Sequence, residues 1–444
     1  MQRAIASSTP TTTRVYPVRT AARRAVAAVL LAIAWMVATA ELSLSQASAT
    51  PRPVVAGAEV LAASGFAALA GKRVGLVTNH TGRAGDQHLA DLLRAAPNVK
   101  LTAILAPEHG FRGTVEAGAQ VGDGIDAKTG VPVFSLYGAT KQPTPPMLRN
   151  VDVLVFDIQD IGVRFYTYIS TMGLAMQAAA TARIPFVVLD RPNPLGGDYV
   201  SGFVLEPTLR SFVGQYPIPI VHGLTVGELA RMIKGEAWLP GLGNLDLQVI
   251  AMQGWQRSMR WPQTGRAWVA TSPNIPTFEA ALVYPGIGVV GETEVSEGRG
   301  TPTPFSVFGA PWLDAPRLAA RLNAMGLPGA RFETASFTPR SIPGVAARPR
   351  FEGKSIAGVR VVVGDVARIE PLEIGMHALA ALAAEARSKG IAPLFGNLAM
   401  FNAIAGTRRL HQMLTSGRDG AAIVAAWQDD VARFKAQRAR YLLY

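Results

Sequence analysis

The sequence of 444 residues contains no cysteine. The chain therefore forms no disulfide bond and no thiolate metal site, and it carries no lipid on an amino-terminal cysteine. Lysine is also scarce, because the 43 basic residues comprise 35 arginines and eight lysines. This bias and the high alanine content are typical of a GC-rich genome. The formal net charge of +12 therefore has two equally good explanations. One is codon usage, and the other is an anionic partner such as a cell-wall polymer.

The chain has no apolar run of full membrane-spanning length. The longest, residues 25–40, is short for a transmembrane helix and follows five arginines. No acidic residue precedes Glu41, and Ala47-Ser48-Ala49 offers a cleavage site. We interpret residues 1–49 as a secretory signal peptide, with Arg23-Arg24 compatible with the twin-arginine route. An exported protein, periplasmic or secreted, without a stable membrane anchor after processing is expected; the alternative is an amino-terminal membrane anchor.

Several motifs that identify common enzyme classes are also missing. The sequence has no HExxH, no GxxxxGK[ST] and no GxSxG motif. Residues 286–291 match the pattern GxGxxG, but no helix pattern follows them, so we do not expect a dinucleotide cofactor. No basic run contains interleaved aromatic residues, so nucleic acid is not an expected partner.

The six histidines are scattered along the chain. A metal site would require His80, His109 or His222 to meet Asp157 or Asp190 in space, and no spacing in the sequence supports this. We therefore predict neither a bound metal nor another cofactor.

Short apolar segments alternate with helical patterns as far as residue 277, which is typical of an α/β fold with a mostly parallel sheet. We predict a Rossmann-like domain over residues 50–277. Its predicted strands are residues 74–78, 101–106, 131–134, 153–156 and 186–189, and its predicted helices are residues 86–95, 171–182 and 225–234. The last helix opens with Thr225-Val226-Gly227-Glu228, the pattern of a capping box.

A change in composition near residue 277 predicts a second, smaller α/β or α+β domain over residues 278–444. A loop rich in glycine, proline and glutamate is expected to open this domain. The predicted elements after the loop are helices at residues 316–325, 372–389 and 421–438, and strands at residues 332–336 and 359–363.

Polar side chains follow four strands of the first domain, at the point where each strand ends. In chain order they are Asn79-His80, Glu108-His109, Asp157 with Asp160, and Asp190-Arg191, with Asn193 and His222 shortly after the last strand. Because the carboxyl ends of parallel strands meet at one edge of a sheet, we expect a shared cleft there. The alternative is that these residues only cap helices and close turns.

Three segments carry the residue types of a sugar-processing site. In Pro107-Glu108-His109-Gly110-Phe111-Arg112-Gly113, a turn flanked by glycines can hold the Glu108 carboxylate toward a cleft. Residues 157–168 add Arg164 and Tyr168, and tyrosines line sugar-binding clefts, although here they could simply begin a buried helix. Residues 291–300 hold three glutamates and Arg299, which could supply a second carboxylate or form a solvated loop.

Taken together, these motifs make the chain resemble the exo-β-N-acetylmuramidases of the NamZ type, a family long catalogued as a bacterial domain of unknown function. The resemblance rests on residues 78–82, 107–113, 136–138, 157–168, 190–197, 222–225, 272–274 and 296–301, in that order. It extends over residues 57–444 and includes the closing Tyr441-Leu442-Leu443-Tyr444.

The resemblance implies a Rossmann-like domain joined to a smaller carboxy-terminal domain, with the active site between them. It implies an exo-acting glycoside hydrolase that releases N-acetylmuramic acid from the non-reducing ends of peptidoglycan fragments. Glu108 is the implied catalytic acid, and Asp157 and Asp160 are further catalytic candidates. The substrate-binding candidates are Asn79, His109, Arg112, Arg164, Tyr168, Asp190, Arg191, Asn193, His222, Asn274, Glu297 and Arg299.

N-acetylmuramic acid differs from N-acetylglucosamine by a lactyl ether that ends in a carboxylate. An arginine suits this group because its fork binds both oxygens. We hypothesise that Arg164 or Arg191 binds the lactyl group, with Arg112 and Arg299 as further candidates. Two other functions stay open: a periplasmic module that binds muropeptides or sugars without turnover, and a metal-dependent hydrolase.

Overall fold

The alternating pattern folds into a seven-stranded sheet with helices on both faces. The computed structural model describes residues 8–13, 53–111, 122–391 and 394–444, so that Arg112 and most of the predicted signal peptide lie outside the described residues. The strands are β1 (Arg73–Thr78), β2 (Arg83–Ala84), β3 (Gln87–His88), β4 (Lys100–Ala106), β5 (Gly124–Ile125), β6 (Pro132–Ser135), β7 (Val153–Asp157), β8 (Phe186–Leu189), β9 (Leu247–Ile250), β10 (Val307–Gly309), β11 (Ala330–Phe337) and β12 (Ile356–Val363).

The α-helices follow the strands in the order that the sequence predicts for the first domain. They are α1 (Gly57–Ala63), α2 (Leu89–Ala95), α3 (Pro145–Leu148), α4 (Tyr168–Ala182), α5 (Val226–Gly235), α6 (Phe278–Val290), α7 (Ala315–Ala324), α8 (Pro371–Ser388), α9 (Leu398–Ala405), α10 (Arg409–Thr415), α11 (Gly420–Ala425) and α12 (Gln428–Arg438).

The strand order of the large sheet is β5-β6-β4-β1-β7-β8-β9. Every neighbouring pair is parallel except β5 with β6. Without the short β5, the strands run 3-2-1-4-5-6 in chain order, which is the order of a Rossmann-type sheet. The predicted α/β fold is therefore confirmed, and each of the five predicted strands is correct to within one residue at each end.

Alternate side chains of each central strand enter different hydrophobic clusters. In β7, Val153 and Val155 pack with α1 and α2, whereas Leu154 and Phe156 pack on the other face. Because both faces are covered, the strands read in the sequence as continuous apolar runs rather than as alternating ones. The cluster that contains Leu154 and Phe156 continues into the helices and strands after residue 277.

The capping box predicted at the start of α5 is present. The Thr225 hydroxyl accepts the Glu228 amide at 3.2 Å, and the Glu228 carboxylate accepts the Thr225 amide at 3.0 Å. The two side chains thus satisfy amides that the first turn of a helix leaves without partners.

The prediction of a loop after residue 277 is wrong for its first part, because residues 278–290 form α6. Pro285 and two glycines, Gly286 and Gly288, argue against a helix in isolation, but packing outweighs these propensities. A Cβ atom on Gly286 would lie 2.1 Å from the Pro371 carbonyl oxygen. The first two glycines of the GxGxxG pattern therefore belong to α6, and the third, Gly291, follows its last residue. Gly286 lets α6 approach α8 closely.

The carboxy-terminal part combines a small antiparallel sheet, in the order β10-β12-β11, with α6 to α12. The single helix predicted over residues 421–438 is two helices, α11 and α12, which are separated at Trp427. Its indole is buried and lies edge-on to Phe203 at 5.2 Å between ring centroids. The break in the helical path thus coincides with a large buried ring.

Residues Pro53–Tyr444 form one compact unit. The division into domains at residue 277 therefore stays a prediction. Among the described residues, no helix is long and apolar enough to cross a membrane.

Candidate active site

A cavity of about 740 Å³ lies beyond the carboxyl end of β4. Its walls come from both parts of the chain, since loops after the large sheet meet α6, α9 and the loop after α6. The residues that line it are Glu108, His109, Tyr137, Lys141, Phe165, Tyr166, Thr167, Tyr168, Ser211, Phe212, Val213, Ser272, Asn274, Ile275, Tyr284, Glu292, Arg299, Phe305, Asn397, Ala399, Met400, Ala403 and Ile404.

The turn after β4 holds Glu108 at the cavity. His109 and Gly110 both adopt left-handed backbone conformations, with φ of 71° and 73°. The Gly110 amide donates to the Pro107 carbonyl at 3.0 Å and closes the turn. A left-handed conformation is strained for histidine, and such strain is concentrated at functional sites. The sequence predicted this rigid turn, and the structure adds that His109, rather than a glycine alone, adopts the strained conformation.

Two hydroxyl groups orient the Glu108 carboxylate. The Thr167 hydroxyl donates to its Oε2 atom at 2.9 Å. The Tyr137 hydroxyl also bonds to this carboxylate; burial and then the charge of Glu108 raise the pKa of Tyr137. Glu108 itself is half-buried. A carboxyl group in this position is fixed in direction but still reaches the cavity.

Aromatic rings form one wall of the cavity. Tyr284 is at its centre, with its ring centroid 5.4 Å from Phe165, 5.9 Å from Tyr166 and 4.7 Å from Phe305. The hydroxyl of Tyr168 donates to the Thr271 carbonyl at 2.7 Å, and that of Tyr166 donates to the Thr271 hydroxyl at 2.8 Å. The segment therefore begins a buried helix and also lines the cavity, and its role in sugar binding stays a prediction.

The three glutamates after α6 have different surroundings. Glu292 lines the cavity. Glu294 forms an ion pair with Arg350 outside it, and Glu297 pairs with Arg299 at 3.0 Å. Burial, then the charge of Glu297, raise the pKa of Glu292 above its ordinary value, although Arg299 acts in the opposite direction.

Arg299 also lines the cavity, and its side chain is 40% exposed. Burial lowers its pKa, but the nearby charges of Glu297, Glu292 and Glu108 outweigh this effect and raise the pKa overall. Asn274 lies beside it, with its side-chain amide donating to the Val345 carbonyl at 2.6 Å. These contacts place a permanent positive charge within electrostatic range of both cavity glutamates.

A second group of predicted residues lies at the point where the strand order reverses, between β1 and β7, and does not line the cavity. Arg191 donates to Asp157 at 2.6 Å, and both side chains are almost completely buried. Asn79 accepts the Thr81 amide and hydroxyl at 3.0 and 2.6 Å. These residues form a polar network that joins the ends of β1, β7 and β8.

Asp190, Asn193 and His222 support α5 and the chain around it. Asp190 accepts the Gly227 amide at 2.8 Å, the Thr225 hydroxyl at 2.7 Å and the Tyr444 hydroxyl at 2.8 Å. Asn193 bonds to backbone groups of the same region. His222 is buried, and burial lowers its pKa to about 3. The structure therefore places all three away from the cavity.

Arg164 also lies apart from the cavity. Its guanidinium is fully buried and donates to the carbonyls of Phe203, Ile218 and Ile404 at 2.7 to 2.9 Å. Burial lowers its pKa to about 9. These contacts join three segments that are distant in sequence, and they leave the guanidinium no position from which to bind the lactyl group in the cavity.

Asp160 is buried and does not line the cavity. The Gly162 amide donates to its Oδ2 atom at 2.6 Å, and burial raises its pKa from 3.8 to about 7 despite this bond. The folded protein therefore holds a proton here that the unfolded chain loses above pH 4, so stability declines as the pH rises from about 4 to about 7.

Replacing Asp160 by asparagine removes this titration and keeps an acceptor for the Gly162 amide. We expect Asp160→Asn to raise the free energy of unfolding at pH 8 by up to about 4 kcal/mol, and to change it little at pH 4. Urea unfolding at pH 4, 6 and 8 measures the difference. A difference that is the same at all three pH values would contradict this assignment. Retained activity would also separate Asp160 from the catalytic residues.

Of the predicted site residues, the structure brings Glu108, His109, Tyr168, Asn274 and Arg299 to the cavity. Glu297 lies in an adjoining recess of about 170 Å³, together with Arg299 and Arg348. In the part of the chain that the structure describes, no group of three or more histidine and acidic side chains is arranged to hold a metal ion.

Several cavity residues were not among the predicted site residues. Tyr137 and Thr167 lie in segments that the motifs already contained, so residue type was the signal that could have identified them. Glu292 is one of the three loop glutamates that could supply a second carboxylate, but no pattern in the sequence distinguished it from Glu294 and Glu297. Tyr284 lies in α6, which was predicted as a loop, and α9 was not predicted at all. The aromatic wall therefore required knowledge of the carboxy-terminal packing.

Comparisons with known proteins agree over nearly the whole described chain. Residues 74–279 match the family model described as exo-beta-N-acetylmuramidase NamZ, N-terminal, and residues 282–444 match the corresponding C-terminal model. The peptidoglycan beta-N-acetylmuramidase NamZ of Bacillus subtilis (strain 168) is 43% identical over 383 residues, which cover 85% of this chain and 88% of the relative.

Crystal structures of two DUF1343 family proteins from Bacteroides fragilis are also similar. They are 39% and 37% identical, with TM-scores of 0.81 and 0.71, and each match covers 88% of this chain and 99% of the other. The N-terminal and C-terminal models of one family and a relative that is 43% identical thus all match this chain, which contains a Rossmann-type sheet. The chain belongs to the NamZ family of exo-β-N-acetylmuramidases.

Proposed function

We propose that this protein is an exo-acting glycoside hydrolase that releases N-acetylmuramic acid from the non-reducing ends of peptidoglycan fragments. The observation that carries the proposal is the position of Glu108, which two hydroxyls orient at a cavity with an aromatic wall. The named activity of the Bacillus subtilis relative is of the same kind. The cavity volume of about 740 Å³ is in the range of small-ligand sites, which suits a chain end better than a long polymer.

Glu108 is the proposed general acid. Hydrolysis of a glycosidic bond requires a proton on the leaving oxygen, and a carboxyl group supplies it in most glycosidases. The hydroxyls of Thr167 and Tyr137 fix the direction of the carboxyl group. As neutral donors, these two groups favour its charged form less strongly than a cation would.

Arg299 is the proposed partner of the lactyl carboxylate. It lines the cavity, whereas Arg164 and Arg191 are committed to buried carbonyls and to Asp157. Its Nε atom pairs with Glu297, and 40% of the side-chain surface stays exposed. A planar fork of this kind can bind both oxygens of a carboxylate.

The deciding experiment compares chromogenic β-N-acetylmuramides with the matching β-N-acetylglucosaminides. We expect the wild-type protein to release chromophore from the muramide, and to do so in the presence of EDTA. Arg299→Ala should raise KM for the muramide by about 10-fold to 100-fold, the loss of one charge-assisted bond, and leave any weak glucosaminide activity unchanged. Steady-state kinetics on both substrates measures the preference.

Arg348→Ala is the matched control, because it removes the same charge from the exposed rim of the adjoining recess. An unchanged substrate preference in Arg299→Ala would contradict the assignment of the lactyl group. Tight binding of muramides without turnover would favour the binding module, and loss of wild-type activity in EDTA would favour the metal-dependent hydrolase.

Export is part of the same proposal. Residues 1–49 have the composition of a signal peptide, and peptidoglycan lies outside the cytoplasmic membrane. Export would bring the enzyme to its substrate, in the periplasm or beyond the cell. Immunodetection of the processed chain after cell fractionation tests this, and a full-length chain confined to the cytoplasm would contradict it.

A further inference from the structure

We infer that Glu292 is the second catalytic carboxylate, and that it acts as the general base that deprotonates the attacking water. The inference rests on the proposed function, because it names the partner of Glu108 in the same reaction. It assigns the role to one of the three glutamates of the loop after α6, and not to Asp157 or Asp160, which were the further catalytic candidates in the sequence.

The positions of the acidic side chains distinguish the candidates for the second carboxylate. Among the described residues that line the cavity, the carboxylates are those of Glu108 and Glu292. The other candidates are engaged elsewhere: Asp157 pairs with Arg191, Asp160 accepts the Gly162 amide, and Asp190 caps α5. A second carboxylate for hydrolysis has to reach the sugar, and of these residues Glu292 lines the cavity.

The surroundings of Glu292 differ from those of its neighbours on the loop. Glu294 pairs with Arg350, and Glu297 pairs with Arg299. Within the described part of the chain, Glu292 forms no ion pair and no side-chain hydrogen bond. Its acceptor capacity is therefore available to a water molecule or to substrate.

Hydrogen bonds and close packing hold the backbone that carries Glu292. The amides of Glu292 and Thr293 donate to the carbonyls of Val289 and Val290 at 3.2 and 3.0 Å, and the Thr293 hydroxyl donates to Val290 at 2.6 Å. A Cβ atom on Gly291 would lie 2.9 Å from the Glu297 side chain, so the turn packs tightly. These bonds fix Glu292 at the end of α6.

The Glu292 carboxylate is more basic than an exposed one. It follows the carboxyl end of α6, where the helix dipole disfavours a negative charge. Burial has the largest effect and raises its pKa; Glu297 acts in the same direction, and the charges of Arg299 and Arg350 offset only part of the increase. A more basic carboxylate accepts a proton from water more readily. Because this position costs stability, a role in function is the better explanation for a glutamate there.

Glu108 and Glu292 face a shared environment. Both carboxylates lie within electrostatic range of the Arg299 guanidinium and of the Tyr284 hydroxyl. The charges of Glu108 and Glu292 raise the pKa of Arg299 and also that of Tyr284. They reach the cavity from different elements, the turn after β4 and the loop after α6.

The two carboxyl groups act as proton donor and proton acceptor during hydrolysis of the glycosidic bond. The Glu108 carboxyl group gives its proton to the glycosidic oxygen, and the bond from that oxygen to C1 breaks with its electron pair on the oxygen. A water oxygen forms the new bond to C1, and the Glu292 carboxylate takes the proton that this water loses. Glu108 ends ionised and Glu292 ends protonated, and proton exchange with solvent restores both. The product leaves with the anomeric configuration inverted.

The first test is the variant Glu292→Gln, assayed with a chromogenic β-N-acetylmuramide. We expect kcat to fall by about 100-fold to 10,000-fold with little change in KM, because the base acts in the transition state. Glu294→Gln is the matched control from the same loop and should retain wild-type kcat. Circular dichroism and binding of N-acetylmuramic acid establish that the variant is folded, and Glu292→Asp, which keeps a base, should recover part of the rate.

The second test follows stereochemistry and rescue. Proton NMR of the wild-type reaction should show α-N-acetylmuramic acid as the first product, and azide, which needs no base, should restore turnover to Glu292→Ala and yield the α-azide. A folded Glu292→Gln with wild-type kcat, or a β-anomer as first product, would overturn the assignment. A wild-type protein without activity on any muramide would instead overturn the proposed function itself.

Discussion

Replacing Glu108 by glutamine is expected to lower kcat for muramide hydrolysis by about 100-fold to 10,000-fold, the usual contribution of a general acid. Glutamine has almost the same shape and can still accept the hydroxyls of Thr167 and Tyr137. It cannot donate a proton of comparable acidity to the leaving oxygen. The change therefore removes the chemistry and leaves the cavity in place.

The leaving group makes this prediction more specific. An aryl leaving group departs without much protonation, whereas a sugar hydroxyl needs the proton. The loss in Glu108→Gln should therefore be larger for a muramyl disaccharide than for an activated chromogenic muramide. Parallel kcat measurements on the two substrates, together with binding of N-acetylmuramic acid, test this. Equal and small losses on both substrates would exclude Glu108 as the acid.

The sequence correctly indicated that polar residues gather at one edge of the sheet. It did not indicate which of them line the cavity and which belong to a buried network. Strand ends are visible as boundaries of apolar runs, so Glu108, Asp157 and Arg191 could all be assigned to one edge of the sheet. Their separation into a cavity and a buried network depends on which side chains find partners across the sheet. Arg191 reaches Asp157 over 34 residues of sequence, and no local pattern indicates that pairing.

Two further errors have physical causes of the same kind. Arg164 was a candidate for the lactyl group because arginine suits a carboxylate, but its partners include Ile404, which is 240 residues away. Helix α6 was predicted as a loop because Pro285 and its glycines have low helix propensity. Its close contact with Gly375 of α8 stabilises the helix, and that contact is a property of the tertiary structure.

Breaking the ion pair of Arg191 and Asp157 is expected to cause a large loss of stability. Arg191→Met should lower the free energy of unfolding by about 3 to 5 kcal/mol, because it leaves the Asp157 carboxylate buried without its cation. The Oδ2 atom of Asp157 already has no hydrogen-bond partner among the described residues, so little is available to compensate. Urea unfolding measures the loss, and KM for the muramide should be unchanged in the folded protein.

A double variant distinguishes a structural ion pair from a substrate contact. In Asp157→Leu with Arg191→Met, no buried charge is left unpaired, and replacement of both partners by apolar side chains of similar size is often neutral or stabilising. We therefore expect the double variant to regain most of the stability that Arg191→Met loses, as a double-mutant cycle would record. If Arg191→Met instead unfolds like the wild type and shows a raised KM for muramides, Arg191 binds substrate, as the motif first suggested, and the structural assignment is wrong.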